Sequence, residues 1–232
     1  MHMGKGYLHL VPLFFLLSSS PVLAAPVETS AVKWPGTLIS RLSALALLQT
    51  FNGELLGRDS ATLVLDDWCE AHRLAASAKI VADRVRDENK PPGQEQIRLL
   101  GVASAGDIKY RRVLLVCGAK VLSEADNWYV PSRLTPAMNE LLDHTNISFG
   151  RAVQALGFRR RTLSVNFLWN PLPRDWSNGR SQAFASNTGT MTIPRYLLRH
   201  RAVLSLVNGE PFSEVIETYT NSLFDFSPPF SG

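Results

Sequence analysis

Asn208-Gly209 restricts the fold more than any other pair of residues in the chain. It separates two apolar, alternating runs, residues 202–207 and 212–220, and this dipeptide is the strongest short-range signal for a β-hairpin. A second hairpin reads from the region 110–130. Tyr110 to Cys117 is rich in Val and Leu, Gly118-Ala119 turns the chain, and Val121 to Val130 returns to a stop at Pro131. Residues 162–169 and the alternating part of 75–86 supply further strand candidates. Tight turns join antiparallel strands, whereas parallel strands need long crossovers. Helical signals are fewer. Thr37 is a plausible N-cap for a helix over 37–51, with Leu38, Leu42, Leu45 and Leu48 at helical spacing and Asn52-Gly53 at its end. Thr135-Pro136 opens another, with Met138, Leu141 and Leu142 on one side. The segment 60–68, with Leu63-Val64-Leu65, fits strand or helix equally. Hairpins with a few helices and no regular βαβ alternation predict an α+β fold built on an antiparallel sheet. The region 170–190, rich in Pro, Gly, Ser, Asn and Thr, reads as a long excursion.

A chain of 232 residues with 45% hydrophobic and 19% charged residues has enough apolar material for a core of its own. Its 24 Lys+Arg against 20 Asp+Glu leave a formal charge of +4, too small an excess to imply nucleic acid, and no nucleic-acid partner is expected. The triplet Arg159-Arg160-Arg161 does not change this, because strand alternation sends its members to opposite faces. Two cysteines exclude a disulfide scaffold or a Cys-rich zinc module.

The N-terminus has the pattern of a secretory signal peptide. Lys5 supplies a positive charge, Leu8 to Leu17 is apolar apart from His9 and Pro12, and Val22-Leu23-Ala24 presents a cleavage site. Residues 1–24 are therefore expected to be removed and the protein to be periplasmic or secreted, with no stable membrane insertion after cleavage. Residues 25–36 form a leader, 37–226 a single domain and 227–232 a tail. In an oxidising compartment Cys69 and Cys117 can join, although two buried thiols fit the sequence as well.

Familiar catalytic motifs are absent: there is no P-loop, dinucleotide fingerprint, nucleophile elbow or H-E-x-x-H. His72, His144 and His200 lack ligand spacing, and no metal is expected. What remains is charge inside strands. In Tyr110-Arg111-Arg112-Val113-Leu114-Leu115, Arg111 shares a face with Val113 and Leu115, and Arg112 with Tyr110 and Leu114. Both faces are apolar, so one guanidinium held inside would need an anion, either a protein carboxylate or a ligand. Glu217 alternates with Val215 and Tyr219 as its counterpart. In an apolar pocket such a carboxylate would have a raised pKa and exchange a proton with a hydroxyl. The Arg and the Glu fit a structural ion pair with each other slightly better than they fit an active site.

The order of these blocks resembles the chorismate lyase (chorismate–pyruvate lyase) family. The match is carried by Asp59-Ser60-Ala61-Thr62, by Arg111-Arg112-Val113-Leu114-Leu115 running on to Tyr129-Val130-Pro131, by Phe149-Gly150-Arg151 with Arg161 after it, and by Asn208-Gly209-Glu210-Pro211 with Glu217-Thr218-Tyr219. The resemblance implies an antiparallel sheet with flanking helices enclosing a buried ligand pocket, and elimination of pyruvate from chorismate to give 4-hydroxybenzoate without cofactor or metal. It implies Arg111 on the ring carboxylate, Glu217 at the ring hydroxyl as the catalytic residue, and backbone groups of Ala61 and Phe149 closing over the ligand. Arg161 would serve chorismate's second carboxylate. The other function of a different class is a non-catalytic binding module for a small aromatic carboxylate.

Overall fold

A computed structural model describes Met1 and residues 32–174, 176–178 and 189–229 of the chain. Apart from Met1 the expected signal peptide lies outside the described residues, as does much of the 170–190 excursion. The helices are α1 (Leu38–Gly57), α2 (Ala61–Ala71), α3 (Gln94–Leu100), α4 (Pro136–His144) and α5 (Phe149–Ala152). The strands are β1 (Val81–Val85), β2 (Lys109–Cys117), β3 (Lys120–Tyr129), β4 (Arg159–Phe167), β5 (Tyr196–Ser205) and β6 (Pro211–Thr220). They form one six-stranded sheet in the order β1-β2-β3-β6-β5-β4, with every neighbouring pair antiparallel. The fold is α+β, as the hairpin signals predict.

Local chemistry explains most boundaries. The Thr37 hydroxyl accepts from the Ser40 N–H, and Thr135 accepts from Met138, each satisfying a free donor of a first helical turn. The Asn208-Gly209 turn is a three-residue loop. Gly209 N–H donates to the Leu206 carbonyl, Leu206 N–H donates to Glu210, and Gly209 takes φ +87°. That is a tight turn followed by a left-handed glycine, which glycine alone enters at no steric cost.

Two expectations are corrected. First, α1 runs past Asn52-Gly53 to Gly57, because the Asn52 side chain is engaged in the interior by His200 and does not turn the chain. Second, its buried stripe is Ser40, Ala44, Leu48, Phe51 and Leu55, while Leu38 and Leu42 face outward. Within the leader, Trp34 is fully buried and its indole N–H donates to the Phe224 carbonyl. Segment 60–68 resolves as helix, with Val64, Leu65, Trp68 and Cys69 inward at helical spacing.

The two faces of the sheet are covered differently. Over one, α1 and α2 pack Leu48, Phe51, Leu55, Val64, Leu65 and Trp68 against strand residues including Val113, Leu115, Ala125 and Tyr219. Full burial of such side chains is worth about 1.5–3 kcal/mol each. On the same face α4 and α5 set Met138, Leu142 and Phe149 on Tyr129 and Leu204. A Cys69–Cys117 disulfide ties α2 to the end of β2, with Cα atoms 6.3 Å apart. The other face carries α3 over Trp128, Val130 and Ile216, and beyond that cluster it is charged. A cavity remains between the first face and its helices.

Candidate functional site

The cavity floor is a product of strand alternation. Arg111, Val113 and Leu115 of β2, Asn127 and Ala125 of β3, and Val215 and Glu217 of β6 point to one side, joined by Leu204 of β5 and Arg160 of β4. The roof is made by Asp59–Thr62 at the start of α2, by Phe149-Gly150 of α5, and by Phe158. The space free of protein atoms between floor and roof is about 470 Å³, a figure that includes the open solvent at its mouth.

The roof is held by side chains on its outer side. Asp59 accepts from the Arg160 backbone N–H at 2.8 Å and from the Arg159 guanidinium at 3.0 Å, which fixes the turn into α2 above β4. Arg151 ties α5 to α2 through Asp66 and the Ile80 carbonyl. Between these anchors the two roof segments come very close. A Cβ on Gly150 would lie 2.9 Å from the Ser60 hydroxyl and 3.3 Å from that of Thr62, so a glycine is needed for the closure.

Two arginines of the cavity have opposite surroundings. The Arg160 side chain is 3% exposed and donates to Glu217 Oε2 at 2.6 Å. The same oxygen accepts from the Tyr219 hydroxyl at 3.1 Å. Glu217 therefore pairs with Arg160, and the expected partner from composition, Arg111, is not bonded to it. Behind the pair His200 is completely buried opposite Glu217, with Nε2 2.9 Å from Asn52 Oδ1. Burial lowers the imidazole pKa to about 4.

Arg111 is 4% exposed and makes one side-chain hydrogen bond among the described residues, from Nη2 to the Ile147 carbonyl at 2.9 Å. No carboxylate lies within ion-pair distance of it among the described residues, and its Nε has no acceptor. Burial, and then the charge of Arg84, lower its pKa to about 10. A buried guanidinium in this state is costly unless an anion completes it.

Strand register gives the span of the site. Arg111 is opposite Asn127, and Glu217 is opposite Ala125, one two-residue step along β3. Two strand spacings and that step put the Arg111 and Glu217 backbones roughly 12 Å apart, with the side chains reaching into the gap between them.

Of the residues singled out in the sequence, Arg111, Ala61, Phe149 and Glu217 line this cavity. Arg161 does not: it is exposed on β4, and alternation turns its neighbour Arg160 inward in its place. Sequence reasoning missed Arg160, Asn127 and Phe158. The triplet of arginines carried the signal for Arg160, but sequence gives no parity for a strand whose register shifts between Thr162 and Ser164. Among the described residues no group of three His, Cys, Asp or Glu side chains is placed to hold a metal ion.

The chain is 50% identical over 215 residues to the uncharacterized protein y4mC of Sinorhizobium fredii (strain NBRC 101917 / NGR234), covering 92% of this chain and 90% of that one. The chain belongs to the y4mC family. No family model matches it. Among solved structures it is similar to PhnF from Mycobacterium smegmatis, at 14% identity and TM-score 0.48 over 76% of this chain and 71% of that one. It is also similar to the ligand-binding domain of a putative GntR-family transcriptional regulator from Bordetella bronchiseptica, at 12% identity and TM-score 0.40 over 62% and 87% of the two chains.

Proposed function

We propose that the protein binds a small aromatic monocarboxylate in the cavity beneath α2 and α5. The observation that carries this reading is the Arg111 guanidinium, buried at a cavity wall with no carboxylate within ion-pair distance among the described residues. A ligand carboxylate supplies that anion and can take the planar fork in two parallel bonds. Val113, Leu115, Ala125, Phe149, Phe158 and Val215 offer apolar walls to a ring. At the far end Arg160 and Tyr219 both bond Glu217 Oε2, and Oε1 has no partner among the described residues. That oxygen suits a hydroxyl donor on the ring, so 4-hydroxybenzoate matches both ends.

Turnover of chorismate is a second reading, favoured by the presence of Arg111, Glu217, Ala61 and Phe149 around one cavity. Its elimination step would need a reactive conformer held out of water more than it would need an acid of special strength. The dianionic substrate fits less well than a monoanion. Arg161 lies outside the cavity, and Arg160 is already neutralised by Glu217. Incubating the protein with chorismate, and separately titrating it with 4-hydroxybenzoate, distinguishes the two. Saturable 4-hydroxybenzoate binding without pyruvate release is the expected result. Release of pyruvate at enzymic rates would make it a lyase, and neither pyruvate release nor binding of the acid would remove both readings.

We also propose that the protein is exported. The Cys69–Cys117 disulfide and the charged, apolar and small-residue segments of residues 1–24 support this. N-terminal sequencing of the protein from a periplasmic extract should begin near Ala25. Recovery of the full-length chain from the cytoplasm alone would contradict it.

A further inference from the structure

Buried donors without acceptors are few in folded proteins, and each calls for an explanation. Three of those found among the described residues belong to the cavity lining: Arg111 Nε, Arg160 Nε and Asn127 Nδ2. Asn127 is 4% exposed and sits directly opposite Arg111 on the adjacent strand, with side chains on the same face. Its other end is occupied. The Ser213 hydroxyl, itself fully buried on β6, donates to Asn127 Oδ1 at 2.6 Å. That bond fixes which way the amide faces and leaves the NH2 group beside the unneutralised guanidinium.

From this juxtaposition we propose that Asn127 is a specificity-determining residue, donating from Nδ2 to one oxygen of the ligand's acid group while Arg111 holds the other, with Ser213 as the positioning residue for its amide. The inference deepens the binding reading above and rests on it. Two donor groups at this end, where the Ile147 carbonyl and Asn127 Oδ1 already accept from Arg111 and Ser213, select a carboxylate over a carboxamide. An amide ligand would bring its own N–H towards donors and leave it unpaired, which is costly in a buried site. The neutral asparagine matters as well. A carboxylate at 127 would neutralise Arg111 from within the protein and remove the need for an anion.

The test is a set of calorimetric titrations with 4-hydroxybenzoate and 4-hydroxybenzamide on the wild type, Asn127→Asp, Asn127→Leu and Ser213→Ala, with melting temperatures recorded for each. The wild type should prefer the acid. In Asn127→Asp the preference should invert, acid affinity falling by at least about 30-fold and amide affinity rising, because Asp accepts the amide N–H while Arg111 donates to its carbonyl. Asn127→Leu should lose about 10-fold for the acid without gaining the amide, and Ser213→Ala should narrow the preference by about 3–10-fold. Inversion is a gain of binding, so a merely misfolded variant cannot produce it. Acid affinity unchanged within twofold in both Asn127 variants, or equal loss of both ligands in Asn127→Asp, would overturn the proposal and leave the role of Arg111 standing. No binding of the acid by the wild type would overturn the underlying reading together with this one.

Discussion

Arg111 and Arg112 are neighbours in the chain and opposites in the fold. Arg112 lies on the far face of the sheet, where its guanidinium meets Glu124 at 2.8 Å, Asp126 at 3.0 Å and Glu88 at 3.3 Å. The network continues from Asp126 to Lys90 and Tyr110, and from Glu124 to Arg195 and Tyr196. Arg111, one residue earlier and on the enclosed face, is more deeply buried and has no carboxylate within ion-pair distance among the described residues. A protein that needed only charge balance would not leave the more costly of two adjacent cations unpaired. On the far face three carboxylates balance the Arg112 charge, although Arg112 Nε itself has no hydrogen-bond acceptor, and on the near face Arg111 has no such carboxylate within ion-pair distance among the described residues.

Substitutions on the two faces should therefore separate stability from binding. The largest stability effect is expected at Glu217→Leu, which strands the Arg160 charge in the interior. Urea denaturation should show a loss of about 3–5 kcal/mol, the usual consequence of removing one partner of a buried pair. Retention of wild-type stability would mean that Arg160 finds water or another anion, and that the pair does not support the cavity wall.

His200, packed behind that pair, gives the near face a pH dependence. Its folded pKa of about 4 lies below the ordinary value of 6.5, because burial disfavours the charged ring. At pH below about 6.5 the unfolded chain binds a proton that the folded chain refuses, so stability falls through the window from 6.5 to about 4 and this contribution then levels off. Over the whole window the loss is roughly 3 kcal/mol. Comparing denaturation at pH 7 and pH 5 for the wild type and His200→Gln tests it. The variant should lose the part of the slope due to this residue, and equal slopes would remove His200 as its source.

Arg112→Met should cost less, about 1–3 kcal/mol, since Lys90, Tyr110, Arg195 and Tyr196 still serve the carboxylates left behind. Its affinity for 4-hydroxybenzoate should stay within about twofold. Loss of binding in this variant would break the contrast between the faces, because a group outside the cavity would then govern the ligand.

How much of this was readable in the sequence depends on how local each cause is. Thr37 and Thr135 cap helices through bonds three residues away, and the glycine of Asn208-Gly209 is fixed by its own backbone, so these were legible. Alternation also predicted that Arg111 and Arg112 face apart. Which of the two is left without a carboxylate was not legible, because Glu124 and Asp126 reach Arg112 only through the register of β2 on β3. The end of α1 was misread for the same reason: Asn52 is held by His200, 148 residues away. Helix α3 has little local signal, because Gln94-Glu95-Gln96 presents no apolar pattern and its last turn is fixed by Leu100 packing in the cluster with Trp128. Arg160 and Asn127 became visible as site residues only once the cavity existed.

The ligand itself is expected to be the counter-ion of Arg111. Calorimetric titration of 4-hydroxybenzoate into the wild type and into Arg111→Met, with folding checked by melting temperature, measures this most directly. The prediction is saturable binding to the wild type, an affinity at least about 100-fold lower in the variant, and a melting temperature unchanged or higher once the unpaired charge is gone. Equal affinity in the two proteins, with the variant folded, would contradict it.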